Sequence, residues 1–253
     1  MRKLSVITLM TVLFCSQAYA RVFDLRSRSF GTYFGGSVGS SNLSKQPWGD
    51  SSGSTTATDQ SVKLNYSGEF GVLAASQKVN FRAGVEVLQP QHLSDIKGTD
   101  PARDLLFTLD SNTRAIIPKA TFEFVVWKTN ASAFMFGGSV GYAMVSMTNQ
   151  YQIASPAGSA AFPGVSDYVE KASGNAIQSE GFVGYEFSFS DNVTIFTNLG
   201  YRYLMVSELT HDNANTAING AVVKGSKVLK QSGENRTLNM SSAQAAIQFR
   251  FYF

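Results

Sequence analysis

The side chains best suited to acid–base chemistry near neutral pH are the two histidines, His92 and His211. His211 is followed directly by Asp212, and Ser207 and Glu208 lie a few residues earlier. A histidine oriented by a carboxylate beside a hydroxyl is the arrangement used in nucleophilic catalysis. A histidine–aspartate pair in a polar segment is more often only solvated, however. We therefore expect no catalytic residue here.

Whether the mature chain contains a cysteine depends on how its N-terminus is processed. The single cysteine, Cys15, lies in a segment with a basic start, an apolar run and the small-residue site Ala18–Ala20, which is the form of a secretory signal peptide. We predict cleavage after Ala20, with lipoprotein processing at Cys15 as the weaker alternative. Residues 1–20 are then a leader and 21–253 one domain. That domain has no thiol for a disulfide or a zinc site, and we expect no metal and no cofactor.

The overall composition narrows the class of protein. The net charge is only +3, and the basic residues are not clustered, so we expect no nucleic-acid partner. Aromatic residues and glycine are abundant, with 19 Phe, 10 Tyr and 22 Gly. No apolar stretch of roughly 18 residues follows the leader, which argues against a helical membrane protein. A soluble β-sandwich and a membrane β-barrel both remain compatible with these totals.

Eight segments between residues 30 and 253 alternate apolar and polar side chains, which is the period of β-strands with two different faces. The last segment is the clearest: Phe249, Phe251 and Phe253 share one face, and Gln248 and Arg250 share the other. The connections alternate in length. Short turns are predicted near 76–79, 128–132 and 190–192, and long polar loops near 42–60, 90–112, 149–175 and 207–236. This alternation favours a transmembrane barrel over a sandwich.

Two local features affect where the predicted strands end and how many strands the barrel has. Pro118 lies inside the fourth segment and predicts a strand end, a bulge or an unpaired stretch. Asn219-Gly220 lies within 216–230 and has the signal of a type I′ hairpin. This hairpin would extend two strands, form a small separate hairpin, or raise the barrel from eight strands to ten.

The charges of the strands fall on the faces that we predict to point inward. Five are basic and five are acidic, so they could neutralise each other in a lumen just wide enough for side chains. The alternative is the solvated face of a soluble β-protein. The predicted lumen charges are Lys63, Glu69, Arg82, Glu86, Lys119, Glu123, Glu180, Glu186, Arg202 and Arg250.

Aromatic side chains gather near the predicted strand ends, where a membrane protein has its interfacial girdle. Strand propensity explains part of this enrichment, but not the clustering beside the short turns. The predicted girdle residues are Trp127, Tyr142, Phe187, Phe189, Tyr201, Tyr203, Phe251 and Phe253.

The leader, the eight alternating segments, the three short turns and the ending Phe249–Phe253 resemble outer-membrane barrels of the OmpA transmembrane-domain and OmpX type. The resemblance is one of pattern and topology, not of a sequence motif. It implies a closed, antiparallel, up-and-down barrel of eight strands in the outer membrane of a Gram-negative bacterium. It also implies that Phe249, Phe251 and Phe253 form the signal read by the barrel assembly machinery.

Three functional hypotheses follow. The first is a monomeric, non-enzymatic surface scaffold, with lipid and lipopolysaccharide around it and loops that bind an unknown extracellular partner or support envelope integrity. Lys224, Lys227 and Lys230 could contact lipopolysaccharide phosphates, although such spacing is more often a solvated loop.

The second hypothesis is a narrow channel or a carrier for small solutes, because glycines in the first and fifth strands could leave a gap. These glycines are Gly35, Gly39, Gly137 and Gly141. The third hypothesis is a lipid-A-modifying enzyme that uses His211, although no palmitoyltransferase, deacylase or omptin-like motif can be aligned.

The assembly signal can be tested by deletion of Phe253. We expect the truncated chain to reach the membrane at clearly lower levels, because the terminal aromatic would be absent from the signal. The measurement is the amount of heat-modifiable protein in outer-membrane fractions. Normal levels of the truncated chain would contradict the assembly-signal hypothesis.

Overall fold

The computed structural model describes residues 30–43, 62–218, 220–229 and 233–253, without the side chains of 41–43, 62 and 63. The predicted leader, the predicted first long loop beyond residue 43, and Lys230 lie outside the described residues. Thirteen strands and one short helix lie within these ranges. They are β1 (Phe30–Leu43), β2 (Val62–Ala74), β3 (Val79–Pro90), β4 (Leu93–Thr99), β5 (Leu105–Lys128), β6 (Ser132–Ile153), α1 (Ala157–Ala161), β7 (Tyr168–Ser190), β8 (Val193–Val206), β9 (Thr210–His211), β10 (Asn215–Ala217), β11 (Gly220–Val222), β12 (Leu238–Asn239) and β13 (Ser242–Tyr252).

Eight of these strands form a ring of antiparallel hydrogen-bonded pairs. The order runs β1, β2, β3, β5, β6, β7, β8 and β13, and β13 pairs again with β1. Because each of these eight described strands has a paired neighbour on both sides, the ring has no free edge strand, as a membrane requires. The predicted up-and-down barrel of eight strands is confirmed.

The predicted hairpin at Asn219-Gly220 lies outside this ring. Strands β10 and β11 pair only with each other, from Asn215 opposite Val222 to Ala217 opposite Gly220. The hairpin is therefore a small separate unit, and the barrel has eight strands rather than ten. Gly220 has a φ of 104°, a backbone conformation that glycine adopts at little cost.

Helical structure is minor. α1 has five residues, and in the described ranges no helix is both long and apolar enough to cross a membrane.

The outer surface of the barrel is an apolar belt, which we define by its most central side chains. Each of them is about half exposed or more, and a continuous apolar surface of this kind is typical of contact with lipid rather than water. The belt residues are Phe34, Phe70, Phe122, Phe136, Val140, Ile177, Val183, Leu199 and Ile247. Most of the predicted girdle aromatics are likewise exposed at the two rims of this belt, for example Tyr201 and Trp127.

Pro118 lies within a continuous strand. It has a register partner in β3, Val85, but β5 has no register partner in β6 at Ile117 or Pro118. Proline has no backbone N–H, so it cannot donate a hydrogen bond to a neighbouring strand. Of the three predicted outcomes, the structure therefore shows an unpaired stretch.

Three strands are much longer than a membrane requires. β5 has 24 residues, β6 has 22 and β7 has 23, whereas about 9–11 residues cross a bilayer. Beyond Ile116 and Met144 the outer faces become polar, with Arg114 on β5 and Ser146 on β6. The predicted loop at 90–112 is thus largely strand, and the predicted loop at 149–175 is strand at both of its ends, which corrects the sequence-based prediction.

We call this part of the molecule the cap: residues 91–114, 146–175 and the described residues of 207–240. The cap has its own apolar interior, continuous with the upper barrel. The strands continue into the cap because they bury this apolar interior, so contact with the membrane is not needed to explain their length. The buried side chains of the cap include Leu93, Ile96, Leu106, Phe107, Leu109, Met147, Tyr151, Leu209, Val228 and Leu238.

Leu109 and Leu105 provide a matched test of the cap interior. Leu109 is 1% exposed and Leu105, on the same strand, is 38% exposed. We expect Leu109→Ala to destabilise the cap by about 2–5 kcal/mol through lost burial and the cavity left behind, with a smaller effect for Leu105→Ala. Native-state hydrogen exchange of cap amides measures this difference. Equal effects would contradict a packed interior.

Candidate functional site

Nine of the ten predicted lumen charges have described side chains, and all nine are buried inside the ring. They come from six strands: β2, β3, β5, β7, β8 and β13. The tenth, Lys63, lies in β2, and its side chain lies outside the described residues.

Lys119 is the centre of the upper half of this network. Its Nζ lies 2.8 Å from Glu69 Oε2, 2.9 Å from Glu86 Oε2 and 3.6 Å from Glu180 Oε2. Arg202 pairs with the other oxygen of Glu86. One ammonium group therefore joins carboxylates from three different strands.

Arg250 is the centre of the lower half. Its guanidinium lies 2.6 Å from Glu123 Oε1 and 2.9 Å from Glu186 Oε2, and it packs 3.9 Å from the centre of the Phe196 ring. A guanidinium suits this position because its planar fork can bond carboxylates while its face stacks on an aromatic ring.

Arg82 connects the two halves. Its Nε lies 2.7 Å from Glu123 Oε1, and its Nη1 lies 3.3 Å from Glu69 Oε1 and 3.0 Å from Gln248 Oε1. The nine charges are thus one continuous set, with four cations and five carboxylates described. We call this set the lumen network.

Neutral donors complete the coordination of the carboxylates. Tyr33 donates to Glu69 at 2.6 Å, Gln244 donates to Glu180 at 2.6 Å, and Tyr252 donates to Glu186 at 2.7 Å. A buried carboxylate is expensive unless such partners replace its water. The Tyr33 hydroxyl reaches its position because it passes over Gly84, where a Cβ atom would lie 2.3 Å from it.

Little free space remains between these side chains. A cavity of about 10 Å³ lies among them, which is room for about one water molecule. The glycines predicted to leave a gap are covered: a Cβ on Gly35 would lie 2.6 Å from Gln248, and one on Gly137 would lie 2.6 Å from Phe182. Neighbouring side chains fill the space that these glycines provide.

Apolar side chains fill the lumen on both sides of the network. On the side of the short turns they form a cluster that includes Tyr33, Leu73, Met135, Phe182, Phe196 and Tyr252. On the cap side, the apolar interior of the cap begins at Leu88, Ile117 and Leu204. The network therefore has apolar side chains on both sides, and on the side of the short turns Tyr33, Phe196 and Tyr252 contact its charged groups directly.

A second polar cluster lies in the cap. Glu170 of β7 accepts from Asn149 at 2.9 Å and lies 3.4 Å from Arg236 Nη1, and its other oxygen lies 3.8 Å from His211 Nδ1. Glu170, His211 and Arg236 are each no more than 6% exposed. Asn149 accepts in turn from Ser111 at 2.7 Å, which fixes its amide.

Burial sets the charge states in this cluster. Burial lowers the pKa of His211 below its ordinary value and outweighs the opposite effect of Glu170, so the imidazole is uncharged at pH 7. Burial also opposes charge on Arg236, but Glu170 together with Tyr151 and Tyr168 outweighs it and raises the pKa of that guanidinium. The cluster is therefore one ion pair beside a neutral histidine.

These cap residues border a pocket of about 510 Å³, which we call the cap pocket. Its lining combines the polar cluster with aromatic and aliphatic side chains. The lining residues are Tyr151, Tyr168, Glu170, His211, Ala217, Ile218, Ala221, Val222, Ser226, Lys227, Leu229 and Arg236.

The residues next to His211 in the sequence do not form a catalytic arrangement around it. Asp212 accepts a hydrogen bond from Ser173 at 2.7 Å, and Glu208 pairs with Lys227 at 2.6 Å. Ser207 and His92 are exposed. The carboxylate that lies within 4 Å of His211 is Glu170, which the sequence analysis did not select.

Glu170 and Arg236 were missed because both fall in segments predicted to be polar loops. The alternation Glu170, Ala172 inward and Val169, Lys171 outward continues the β7 pattern and could have indicated Glu170. Arg236 lies between strands, so the sequence carries no periodic signal for it.

The remaining predicted residues lie on the surface. Lys224 is exposed, as is Lys227 apart from its pairing with Glu208. On the outer face of β13, Phe249 and Phe251 pack against Phe34 of β1 with ring centres 5.4 and 5.7 Å apart, and Phe253 is 70% exposed.

No protein-family model and no curated protein matches the chain. Solved outer-membrane structures are similar to it. A major outer membrane protein from Thermus thermophilus has a TM-score of 0.50 and 10% identity, with 88% of this chain and 99% of that chain covered. The outer membrane protein OprG from Pseudomonas aeruginosa has a TM-score of 0.44 and 13% identity (92% and 99% covered). The outer membrane protease OmpT from Escherichia coli has a TM-score of 0.43 and 9% identity (92% and 99%).

At these identities the likeness concerns the fold alone, and the fold is that of outer-membrane β-barrel proteins. A fold does not determine a function, so function has to be argued from the residues.

Arg250 tests the lumen network. In the described structure Arg250 is the cation that lies within 4 Å of Glu186, and it is one of two cations that lie beside Glu123. Arg250→Met removes this cation from both carboxylates. We expect a loss of about 3–5 kcal/mol in the free energy of unfolding, because carboxylates are left buried without compensation. Urea unfolding followed by gel mobility measures it.

Two further variants make this test specific. Arg114→Met, on the exposed outer face, should change stability by no more than about 0.5 kcal/mol. Adding Glu186→Gln to Arg250→Met should restore part of the loss, because it removes the uncompensated charge. If Arg250→Met unfolds like Arg114→Met, the network does not stabilise the barrel.

Proposed function

We propose that the chain is an integral, multi-pass protein of the bacterial outer membrane that acts as a non-enzymatic surface scaffold. The observation that carries this proposal is the lumen network, which fills the middle of the barrel from Arg202 to Glu186. The barrel anchors the chain, and the cap is the part that meets the exterior.

The filled lumen argues against a channel. A hydrated path would need continuous space for water, but a cavity of about 10 Å³ lies among the charges and apolar layers lie on both sides of them. Opening a path would separate ion pairs such as Arg250–Glu123, and separating a buried pair is costly.

The arrangement around His211 argues against an enzyme. Its neighbouring carboxylate, Glu170, already interacts with Arg236 and Asn149, and a 3.8 Å separation is too long for the hydrogen bond that orients a catalytic base. The hydroxyl of Ser226 lines the same pocket but donates to the backbone oxygen of Val223. These features support a binding role for the cap rather than a catalytic one.

The partners follow from the surfaces. The belt suits outer-membrane lipid, and exposed Lys224 at the cap suits a lipopolysaccharide phosphate or an acidic extracellular partner. The barrel assembly machinery would read the outward row Phe249, Phe251 and Phe253. We propose that the protein acts as a monomer.

Conductance tests the scaffold proposal. We expect the full mature chain in planar bilayers to give no nanosiemens-scale steps in 1 M KCl, because the described side chains of the lumen network leave a cavity of only about 10 Å³ among them. A porin inserted in the same bilayer is the positive control, and heat-modifiable mobility shows that the barrel is folded. Steady nanosiemens steps from the folded protein would replace the scaffold proposal with the channel hypothesis.

A further inference from the structure

The cap pocket has two chemically different walls. One wall is polar and buried, with Glu170, His211 and Arg236. The other is the β10–β11 hairpin, which contributes aliphatic side chains such as Ala221 and Val222. A volume of about 510 Å³ lies within the usual range of small-molecule sites, which is roughly 300–1,000 Å³.

The base of the pocket is aromatic. Tyr151 and Tyr168 both line it, and their rings are stacked with centres 4.6 Å apart and planes 8° from parallel. Phe107 packs on Tyr151 at 5.6 Å and supports the stack from the cap interior. Such a preformed stack favours a flat ring, since ring pairs gain from offset stacking beyond simple burial.

The polar wall has hydrogen-bonding capacity left over. Arg236 Nε and His211 Nδ1 are buried and have no hydrogen-bond partner among the described residues. Buried polar atoms of this kind are uncommon and costly, so each indicates a missing partner. In the cap, unlike the lumen, there is room for that partner to be a molecule larger than water.

The charge of the pocket selects among ligands. Arg236 is neutralised by Glu170, and Lys227 by Glu208. A carboxylate ligand would therefore add an uncompensated charge to a buried site. A sugar would bring several hydroxyl groups to an aliphatic wall that cannot satisfy them.

We propose that the cap pocket binds a small uncharged phenol, with its ring between the tyrosine stack and the β10–β11 hairpin and its hydroxyl at Arg236 and His211. A hydroxyl group both donates and accepts, so a single group can serve both atoms. Phenol binding goes beyond the scaffold function. It rests on that function in one respect: the cap must face the exterior for the phenol to enter.

The direct test is calorimetric titration of the full mature chain in nanodiscs with four probes: p-cresol, toluene, p-toluate and methyl glucoside. We expect p-cresol to bind about tenfold more tightly than toluene, because its hydroxyl satisfies groups that toluene leaves unpaired. Equal binding of toluene would overturn the polar part of the proposal. Tightest binding of p-toluate or of methyl glucoside would replace the phenol with an anion or a sugar.

Two tryptophan variants separate the pocket from partition into the nanodisc. Ala221→Trp fills the pocket from its exposed hairpin and should abolish p-cresol binding, whereas Ala102→Trp, exposed in the turn before β5, should leave it unchanged. If both variants bind p-cresol like the parent, the heat comes from partition and the proposal fails.

Arg236→Met tests whether Arg236 contacts the hydroxyl group of the phenol. The quantity to compare is the preference for p-cresol over toluene, not the total binding. It should reduce the preference for p-cresol over toluene to about twofold or less, with retained heat-modifiable mobility as the folding check. An unchanged preference would remove Arg236 from the site. None of these failures would alter the conductance result, so the two proposals fail separately.

Discussion

In a ring of eight strands the inward side chains have only one another as surroundings, because the lumen has no space for bulk water. Every inward charge must then find its counter-charge across the barrel. The partners are distant in sequence: Arg250 and Glu123 are 127 positions apart, and Arg202 and Glu86 are 116 apart. These pairs form only when the ring is complete and in register. Slipping a strand by one residue would turn its charges toward lipid. The same contacts that neutralise the lumen therefore select the register of the barrel.

The lumen network also determines what the two ends of the barrel can be. Because the charges satisfy each other in the middle of the barrel, the layers above and below can be apolar, as Leu204 and Phe182 illustrate. The upper apolar layer then continues without a break into the cap. Strands β5, β6 and β7 extend past the belt because this interior remains available to bury side chains such as Leu109 and Met147. The cap is a continuation of the barrel core into water, rather than a set of loops on top of it.

Much of the barrel could be predicted from the sequence because its signal is local. A period of two assigns Phe251 outward and Arg250 inward without knowledge of any partner. The pairing of Arg250 with Glu123 could not be predicted, since it depends on the register of strands that lie far apart in the chain. The strands of the cap were predicted to be loops for a different reason. Its outer face is polar, as at Asn112 and Arg114, and its inward side chains include Ser111 and Thr113, so the contrast between faces that marks a membrane strand is weak there.

The lumen and the cap pocket both bury charged side chains, but they differ in the free space beside those side chains. Both place buried guanidinium groups beside carboxylates, and both contain polar atoms that have no hydrogen-bond partner in the described part of the chain, such as Nε of Arg250 and Nε of Arg236. In the lumen the neighbouring space is about 10 Å³, so such an atom can gain at most about one water molecule. In the cap the space is about 510 Å³ and has an aromatic base and an aliphatic wall. Unsatisfied atoms indicate a binding site only where there is room for a ligand, and that condition separates Arg236 from Arg250.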